Sequence, residues 1–163
     1  MGISSDGQIS FGIAFEEDYR FPWNDEKWGG DEEEWWIYGV CGYKPPFEIY
    51  DESGHYIGGY KPSQEKINEY YSHRRDFKDE HPMPVEIVRH CSYDYPMYIV
   101  AVKGTYICNS RGDTVKFDPQ SMTITDDQKK AVIDFCERYC QPEDKYSEAP
   151  KIDPNWYLTS MYG

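Results

Sequence analysis

Hydrophobic and polar residues alternate at the start of the chain. Ile9, Phe11, Ile13 and Phe15 occupy every second position between residues 7 and 15, which is the period of a strand with one buried face. Other segments are rich in β-branched and aromatic residues and predict further strands at 34–41, 85–91, 97–102, 106–108 and 114–117. Short segments on either side of the turn-prone residues 51–54 predict a hairpin of 47–50 with 56–57.

Two segments carry the signals of helices. The first predicted helix runs from about Ser63, which can cap its N-terminus, to about Asp79, because Pro82 prevents continuation. The second begins at the capping-box sequence Thr125-Asp126-Asp127-Gln128 and ends near Tyr139. We therefore predict an α+β fold, in which two helices pack on a mostly antiparallel sheet.

The length of the chain predicts one domain that covers residues 1–163. A domain of this size buries roughly two-thirds of the surface that its unfolded chain exposes. Residues 141–163 include Pro142, Pro150 and Pro154 and predict an extended C-terminal segment. Its last residues are rich in aromatic and aliphatic side chains, so we expect its end to dock on the body of the domain.

Acidic residues are concentrated near the N-terminus. The formal net charge is −13, and residues 1–34 hold ten acids against Arg20 and Lys27. Large rings are interleaved with these acids, unlike in a disordered acidic tail. We interpret residues 16–36 as a folded acidic face, which would repel nucleic acid and anionic membranes and attract basic protein surfaces.

Chemical motifs give little support to catalysis or to a cofactor. The sequence lacks a nucleophile elbow, a phosphate-binding loop, a dinucleotide fingerprint and a zinc-protease motif. Cys136-x3-Cys140 has the close spacing of one half of a structural zinc site, but the second pair, His90-Cys91, is adjacent in sequence, so a strand would point its two side chains to opposite faces. Asp31 to Glu34 lack the spacing of a calcium loop. We predict no enzyme, no cofactor and no metal, with a small hydrolase kept as an alternative.

The sequence predicts a cytoplasmic protein. No apolar run approaches the roughly 20 residues of a membrane helix, and the N-terminus lacks the basic and apolar regions of a signal peptide. The five cysteines are an odd number at irregular spacing, which argues against a secreted disulfide framework and favours reduced thiols.

Four stretches of the sequence resemble small proteins encoded by tailed bacteriophages: Ser4 to Gly12, Glu34 to Trp36, Gly42 to Glu48 and Lys61 to Ile67. This resemblance covers most of the chain and brings no known activity with it. It implies a role of the anti-defence kind, such as an anti-CRISPR or anti-restriction protein, some of which imitate the charge of DNA.

The leading hypothesis is therefore an acidic inhibitor that occupies the basic surface of a host nucleic-acid-binding protein. Carboxylates would replace phosphates opposite Lys and Arg, and rings would supply buried anchors. The residues predicted to contact the partner are Glu16, Glu17, Asp18, Trp23, Asp25, Glu26, Trp28, Asp31, Glu32, Glu33, Glu34 and Trp36.

Two further expectations follow from the predicted strand at 34–41. Glu32 to Glu34 should be exposed, and Trp35 and Trp36 should point to opposite faces, one into the core and one toward the partner. The alternative to an inhibitor is a phage structural or assembly protein that forms a homo-oligomer through its aromatic surface. The inhibitor itself could also form a homodimer.

Overall fold

The computed structural model describes residues 5–17, 19–50, 53–92, 94–110, 112–116, 118–141 and 151–162. Its contacts divide the chain into two compact units. Unit 1 combines residues 1–25 with residues 84–163, and unit 2 consists of residues 26–83. The division does not decide whether the units fold as one domain, and the single-domain assignment stays a prediction.

The described elements are five strands and three α-helices with short helical turns between them. The strands are β1 (Ser5–Ala14), β2 (Glu86–Ser92), β3 (Pro96–Ala101), β4 (Ile107–Asn109) and β5 (Asn155–Tyr162). The helices are α1 (Glu32–Glu34), which continues as a π-helix (Trp35–Val40), α2 (Gln64–Glu80) and α3 (Asp126–Tyr139). Shorter 3₁₀ turns lie at Pro22–Asn24, Ile57–Gly59 and Pro119–Met122. The α+β class is confirmed.

All five strands belong to one sheet in unit 1, in the order β3-β2-β5-β1-β4. The pairs are antiparallel except β2 with β5, which is parallel. A further antiparallel pairing of β3 with the end of β1 makes the sheet close on itself. Closure satisfies backbone groups that would otherwise be left at open edges.

The end of the C-terminal segment is a strand of the sheet, whereas the sequence predicted only that it docks on the body of the domain. Residues 155–162 form β5, which pairs with β1 over eight positions, from Ser5 opposite Tyr162 to Gly12 opposite Asn155. β5 therefore lies inside the sheet, between β1 and β2. Residues 142–150, which include two of the three prolines, are outside the described residues.

The core of unit 1 lies where α3 packs on β1 and β3. Phe11, Ile13 and Phe15 of the alternating segment are buried, as predicted. Ile9 is half-buried, so the apolar face of β1 is only partly covered at its N-terminal end. From α3, the residues at helical spacing that are buried are Val132, Phe135 and Cys136.

Both long helices begin and end close to their predicted positions. The Ser63 hydroxyl accepts a hydrogen bond from the Lys66 N–H at the start of α2. The capping box of α3 is present, with Thr125 and Gln128 bonding reciprocally. α3 packs on the sheet, whereas α2 belongs to unit 2, and its packing on the sheet stays a prediction.

The predicted strand at 34–41 is wrong, because these residues are helical. Asp31 caps this segment by accepting a hydrogen bond from the Glu34 N–H at 2.8 Å. The Trp35 N–H then bonds the Asp31 carbonyl, and the Cys41 N–H bonds the Trp36 carbonyl five residues back. The ring-rich segment favoured a strand by composition, but the cap and the three following acids favour a helix start.

Two other strand predictions also differ from the structure. The hairpin reduces to a single bridge between Tyr50 and Tyr56, and residues 114–116 form no strand, while residue 117 lies outside the described part.

Candidate partner-binding site

The predicted acidic face is divided between the two units. Residues 16–25 belong to unit 1 and residues 26–36 to unit 2. In unit 1, Glu16, Glu17 and Asp25 are exposed, and Asp18 lies outside the described residues. In unit 2, Glu26 and Asp31 are exposed and Trp28 is half-buried. Of the twelve predicted contact residues, five therefore belong to unit 1 and seven to unit 2.

Trp23 is not on the surface, so its assignment to a partner contact is wrong. Its side chain is fully buried in unit 1. The ring stacks on Phe21 at a centroid distance of 4.4 Å, in a cluster that continues to Phe15 and Tyr19. A large ring next to other rings and a short apolar segment is more stable in the core than in water.

Glu33 and Glu34 are not freely exposed, which corrects the expectation for this acidic run. Both are half-buried, and both form ion pairs with Arg74 of α2. Glu33 also pairs with Lys78 at 2.5 Å. These cations lie some 40 residues away in sequence, so their pairing with the acidic run could not be inferred from local spacing.

Trp35 and Trp36 differ in burial, but not because of strand alternation. Trp35 is buried in unit 2, while Trp36 is half-buried. The indole N–H of Trp36 donates to the His81 carbonyl at 2.9 Å, just beyond the end of α2. This bond holds the partly exposed Trp36 ring in one orientation.

The contacts of Glu33 with Lys78 and of Trp36 with His81 place α1 and the π-helix beside the last turn of α2. Glu32 at the start of α1 is half-exposed, and Asp79 and Glu80 at the end of α2 are exposed. We call Glu32, Trp36, Asp79 and Glu80 the acidic patch. Two of its members, Asp79 and Glu80, are not among the predicted contact residues.

The position of Asp79 and Glu80 is electrostatically unfavourable. The C-terminal end of a helix carries a partial negative charge, so cations are preferred there. Lys78 is the only basic residue in the last turn of α2, and among the described residues neither Asp79 nor Glu80 forms an ion pair. Asp76, just before this turn, pairs with Arg75 at 3.7 Å.

The sequence contained a signal for these acids. Lys, Arg and His are the residues typical of a last helical turn, and the two acids Asp79 and Glu80 depart from that rule.

Unit 2 also contains an open cavity of about 580 Å³. Its apolar wall is formed by tyrosine rings with one proline and one isoleucine, namely Tyr38, Tyr43, Tyr50, Tyr70, Pro45 and Ile49. Two exposed charged residues, Lys44 and Glu48, line it as well. We call this the tyrosine cavity, and its volume lies in the range of small-molecule sites.

The hydroxyl groups around the tyrosine cavity bond mainly to other side chains of unit 2. Tyr50 and Tyr71 share a hydrogen bond of 3.1 Å between their hydroxyls, and the Tyr43 hydroxyl lies 3.1 Å from His73 Nδ1. Burial and the hydrogen bond with Tyr38 raise the pKa of Tyr70 to about 12. The Tyr70 phenol therefore remains neutral at physiological pH.

The sequence analysis missed this cavity, although the sequence contained a signal for it. Seven of the sixteen tyrosines lie between residues 38 and 71, a density beyond what half-buried sheet positions require.

Of the residues considered as zinc ligands, His90 and Cys91 lie on β2, and Cys136 and Cys140 lie on or next to α3. Cys136 and Cys140 are buried free thiols, and the hydrogen bond with Cys136, together with burial, raises the pKa of the Cys140 thiol. Within the described ranges, no three His, Cys, Asp or Glu side chains come close enough to hold one metal ion. None of the helices in those ranges has both the length and the apolar character needed to cross a membrane.

Comparisons with protein-family models, with curated proteins and with solved structures found no match.

Proposed function

We propose that this protein is a phage-encoded binding protein that inhibits a host nucleic-acid-binding defence protein. It acts without catalysis, in the host cytosol, by occupying the basic surface to which the host protein binds nucleic acid. The observation that carries this proposal is the acidic patch, which combines the partly exposed Trp36 with three carboxylates that form no ion pair among the described residues.

The charge of the patch suits a basic partner. Asp79 and Glu80 lie at the negative end of α2, so the helix dipole adds to the field of their carboxylates. The net charge of −13 extends the same field over the molecule. Such a field speeds the encounter with a cationic surface and disfavours nucleic acid as the direct ligand.

The geometry of Trp36 suits an anchor residue. Tryptophan is enriched among the residues that dominate binding energy, particularly where its orientation is already held. The hydrogen bond to the His81 carbonyl restricts the ring before a partner arrives, so little side-chain entropy remains to be lost on binding.

The unfavourable placement of the acids also supports a binding role. Residues that weaken a local element without a compensating contact are expected where function requires them. Glu33 and Glu34, by contrast, are accounted for by their ion pairs with Arg74 and Lys78. We therefore assign the contact to Glu32, Trp36, Asp79 and Glu80 ahead of the other predicted acids.

The proposal is tested by immobilising the protein, passing bacterial lysate over it at low and raised salt, and identifying the retained proteins by mass spectrometry. We expect a nucleic-acid-binding protein that is retained at low salt, released at raised salt and displaced by added DNA or RNA. If nothing retained binds nucleic acid, or if nucleic acid does not compete, the proposal is wrong.

The same preparation tests the assembly alternative. Light scattering after size exclusion would reveal a stable symmetric oligomer, the state expected of a structural protein of the particle. A large oligomer that retains no host protein would favour that alternative over inhibition.

A further inference from the structure

None of the described residues that line the tyrosine cavity belongs to the acidic patch, so the cavity is considered as a separate binding site. The described residues that line it include four tyrosine rings and two charged side chains, Lys44 and Glu48. The hydroxyls of Tyr43, Tyr50 and Tyr70 are engaged by neighbouring side chains. Four tyrosine rings therefore line the cavity, and at least three of their hydroxyls already have hydrogen-bond partners.

The rings are arranged around Tyr50. Tyr50 stacks on Tyr56 with a centroid distance of 5.2 Å and an interplanar angle of 23°, and it meets Tyr70 nearly at right angles, at 6.4 Å and 83°. Tyr38 and Tyr43 form a second perpendicular pair, at 5.2 Å and 76°. In each perpendicular pair the edge of one ring covers part of the other ring's face, so the π-faces available to a bound group are those that the pairing leaves uncovered.

π-faces of this kind attract cations. The face of a tyrosine ring carries the negative part of its quadrupole, and ammonium and guanidinium groups bind over it within about 6 Å of the centroid. The surrounding charge reinforces this preference, because residues 26–83 contain thirteen acids and seven basic residues. Glu48 places a carboxylate at the cavity itself.

We propose that the tyrosine cavity binds an organic cation, the guanidinium or ammonium side chain of a basic protein partner. This inference rests on the proposed function, because it specifies how unit 2 would hold one Arg or Lys side chain of that partner. Among the described lining residues, Lys44 carries the charge that opposes a cation. Its long exposed side chain can move its charge into water at little cost.

The test uses the isolated protein with small probes, so it does not depend on finding the partner. Blocked arginine and blocked trimethyllysine are titrated against the protein and the tyrosine ring resonances are followed by NMR. Blocked citrulline, which has the shape of arginine without its charge, is the matched neutral probe. We expect saturable shifts with the two cations and much weaker shifts with citrulline. Equal binding of arginine and citrulline, or no saturable shift with either cation, would overturn the inference.

Two exposed substitutions at the cavity give opposite expected effects. Lys44→Gln should tighten cation binding and Glu48→Gln should weaken it, each by up to about fivefold, the range of one exposed charge pair. Both positions are exposed, so the fold should be unaffected. If the two effects are reversed, the cavity prefers an anion and the inference is wrong.

Tyr50 tests the part played by the rings. Tyr50→Phe keeps the ring and should retain most of the affinity, whereas Tyr50→Leu should lose about two- to fivefold of it. A melting curve for each variant shows whether the fold is intact. Full affinity in a folded Tyr50→Leu variant would contradict the proposed contact.

A choline titration distinguishes the source of the cation. If choline binds more weakly than blocked arginine, the result supports a protein side chain as the natural ligand. If choline binds more tightly, the result contradicts a protein side chain as the ligand. Failure of all cationic probes while the lysate partner is still retained would remove this inference and leave the proposed function standing.

Discussion

His90 is the described histidine whose ionisation is most affected by its surroundings. It lies half-buried on β2, and its Nε2 atom has no hydrogen-bond partner among the described residues. Burial lowers the pKa of His90, because the imidazolium loses hydration that nothing replaces. As the pH falls, His90 in the unfolded chain is therefore protonated near the ordinary histidine pKa of about 6.5. His90 in the folded protein is protonated only at a lower pH.

This difference predicts that His90 destabilises the fold as the pH falls. Below the unfolded pKa the unfolded state binds more protons, so the free energy of unfolding decreases with decreasing pH until the lower folded pKa is passed. We expect the melting temperature of the wild type to drop more than that of His90→Gln between about pH 7.5 and about pH 5.5, which bracket the unfolded value. Equal drops in the two proteins would mean that His90 does not contribute.

Gly12 is a second residue whose identity the structure explains. It pairs with Ala101 of β3 and with Asn155 of β5, where the sheet closes. A methyl group at this position would overlap the Val100 carbonyl and lie 2.7 Å from the Ala101 Cα. The close approach of β1 and β3 therefore requires a residue without a side chain.

We expect Gly12→Ala to lower the free energy of unfolding by about 1–3 kcal/mol or more, as other overpacked substitutions do. Gly7→Ala on the same strand is the control, since a methyl group there meets no atom within 4 Å. Chemical denaturation of the two variants provides the comparison. Similar stabilities would contradict the close packing at the closure.

At the scale of elements, α3 depends on a local cap. Thr125 Oγ1 accepts from the Gln128 N–H at 3.2 Å, and Gln128 Oε1 accepts from the Thr125 N–H at 2.9 Å. Thr125→Ala removes the first of these bonds and should cost about 1 kcal/mol of stability. Thr125→Ser keeps an oxygen acceptor and should stay close to the wild type, as thermal unfolding would show. An equal loss in both variants would indicate that the methyl group of Thr125, not its cap, stabilises the helix.

Local signals explain which elements could be predicted. α2 and α3 carry caps and apolar periodicity within their own sequences, and both match the prediction within about one residue at either end. β1 shows the alternation of a strand by itself. These signals depend on neighbouring residues, so they need no knowledge of the fold.

The missed elements depend on distant partners or on competing local preferences. β5 follows a proline-rich stretch, and its strand conformation is stabilised by pairing with β1, some 150 residues earlier. The helical segment after Asp31 has β-forming rings, which pointed to a strand, and a cap with three acids, which determined the helix. The strength of the cap relative to β-propensity could not be judged from composition.

At the scale of the whole molecule, the acidic character could be predicted but its division could not. The sequence placed the acids near the N-terminus, whereas in the structure residues 16–25 belong to unit 1, residues 26–36 belong to unit 2, and Glu33 and Glu34 pair with cations of α2. The long-range pairing with Arg74 and Lys78 determines which acids remain available. Asp79 and Glu80 could have been included in the site, because their position in the last turn of a helix departs from the usual charge preference.

Reversing the charge of the acidic patch should have opposite effects on stability and on partner binding. Asp79→Lys with Glu80→Lys places cations at the negative end of α2 and should raise the free energy of unfolding by about 0.3–1 kcal/mol. Thermal unfolding at low salt measures this gain, which should shrink as salt is added. A loss of stability would mean that the two carboxylates stabilise the native fold.

The most direct test of the account is the association rate of the captured host protein with this Asp79→Lys, Glu80→Lys variant. The control is Glu69→Lys with Glu137→Lys, which changes the net charge equally at exposed positions elsewhere. Glu69 lies about 15 Å from Asp79 along the axis of α2. We predict that the patch variant, although folded and more stable, associates much more slowly and with less salt dependence than the control. Equal association rates of the two variants would contradict a partner contact at the acidic patch.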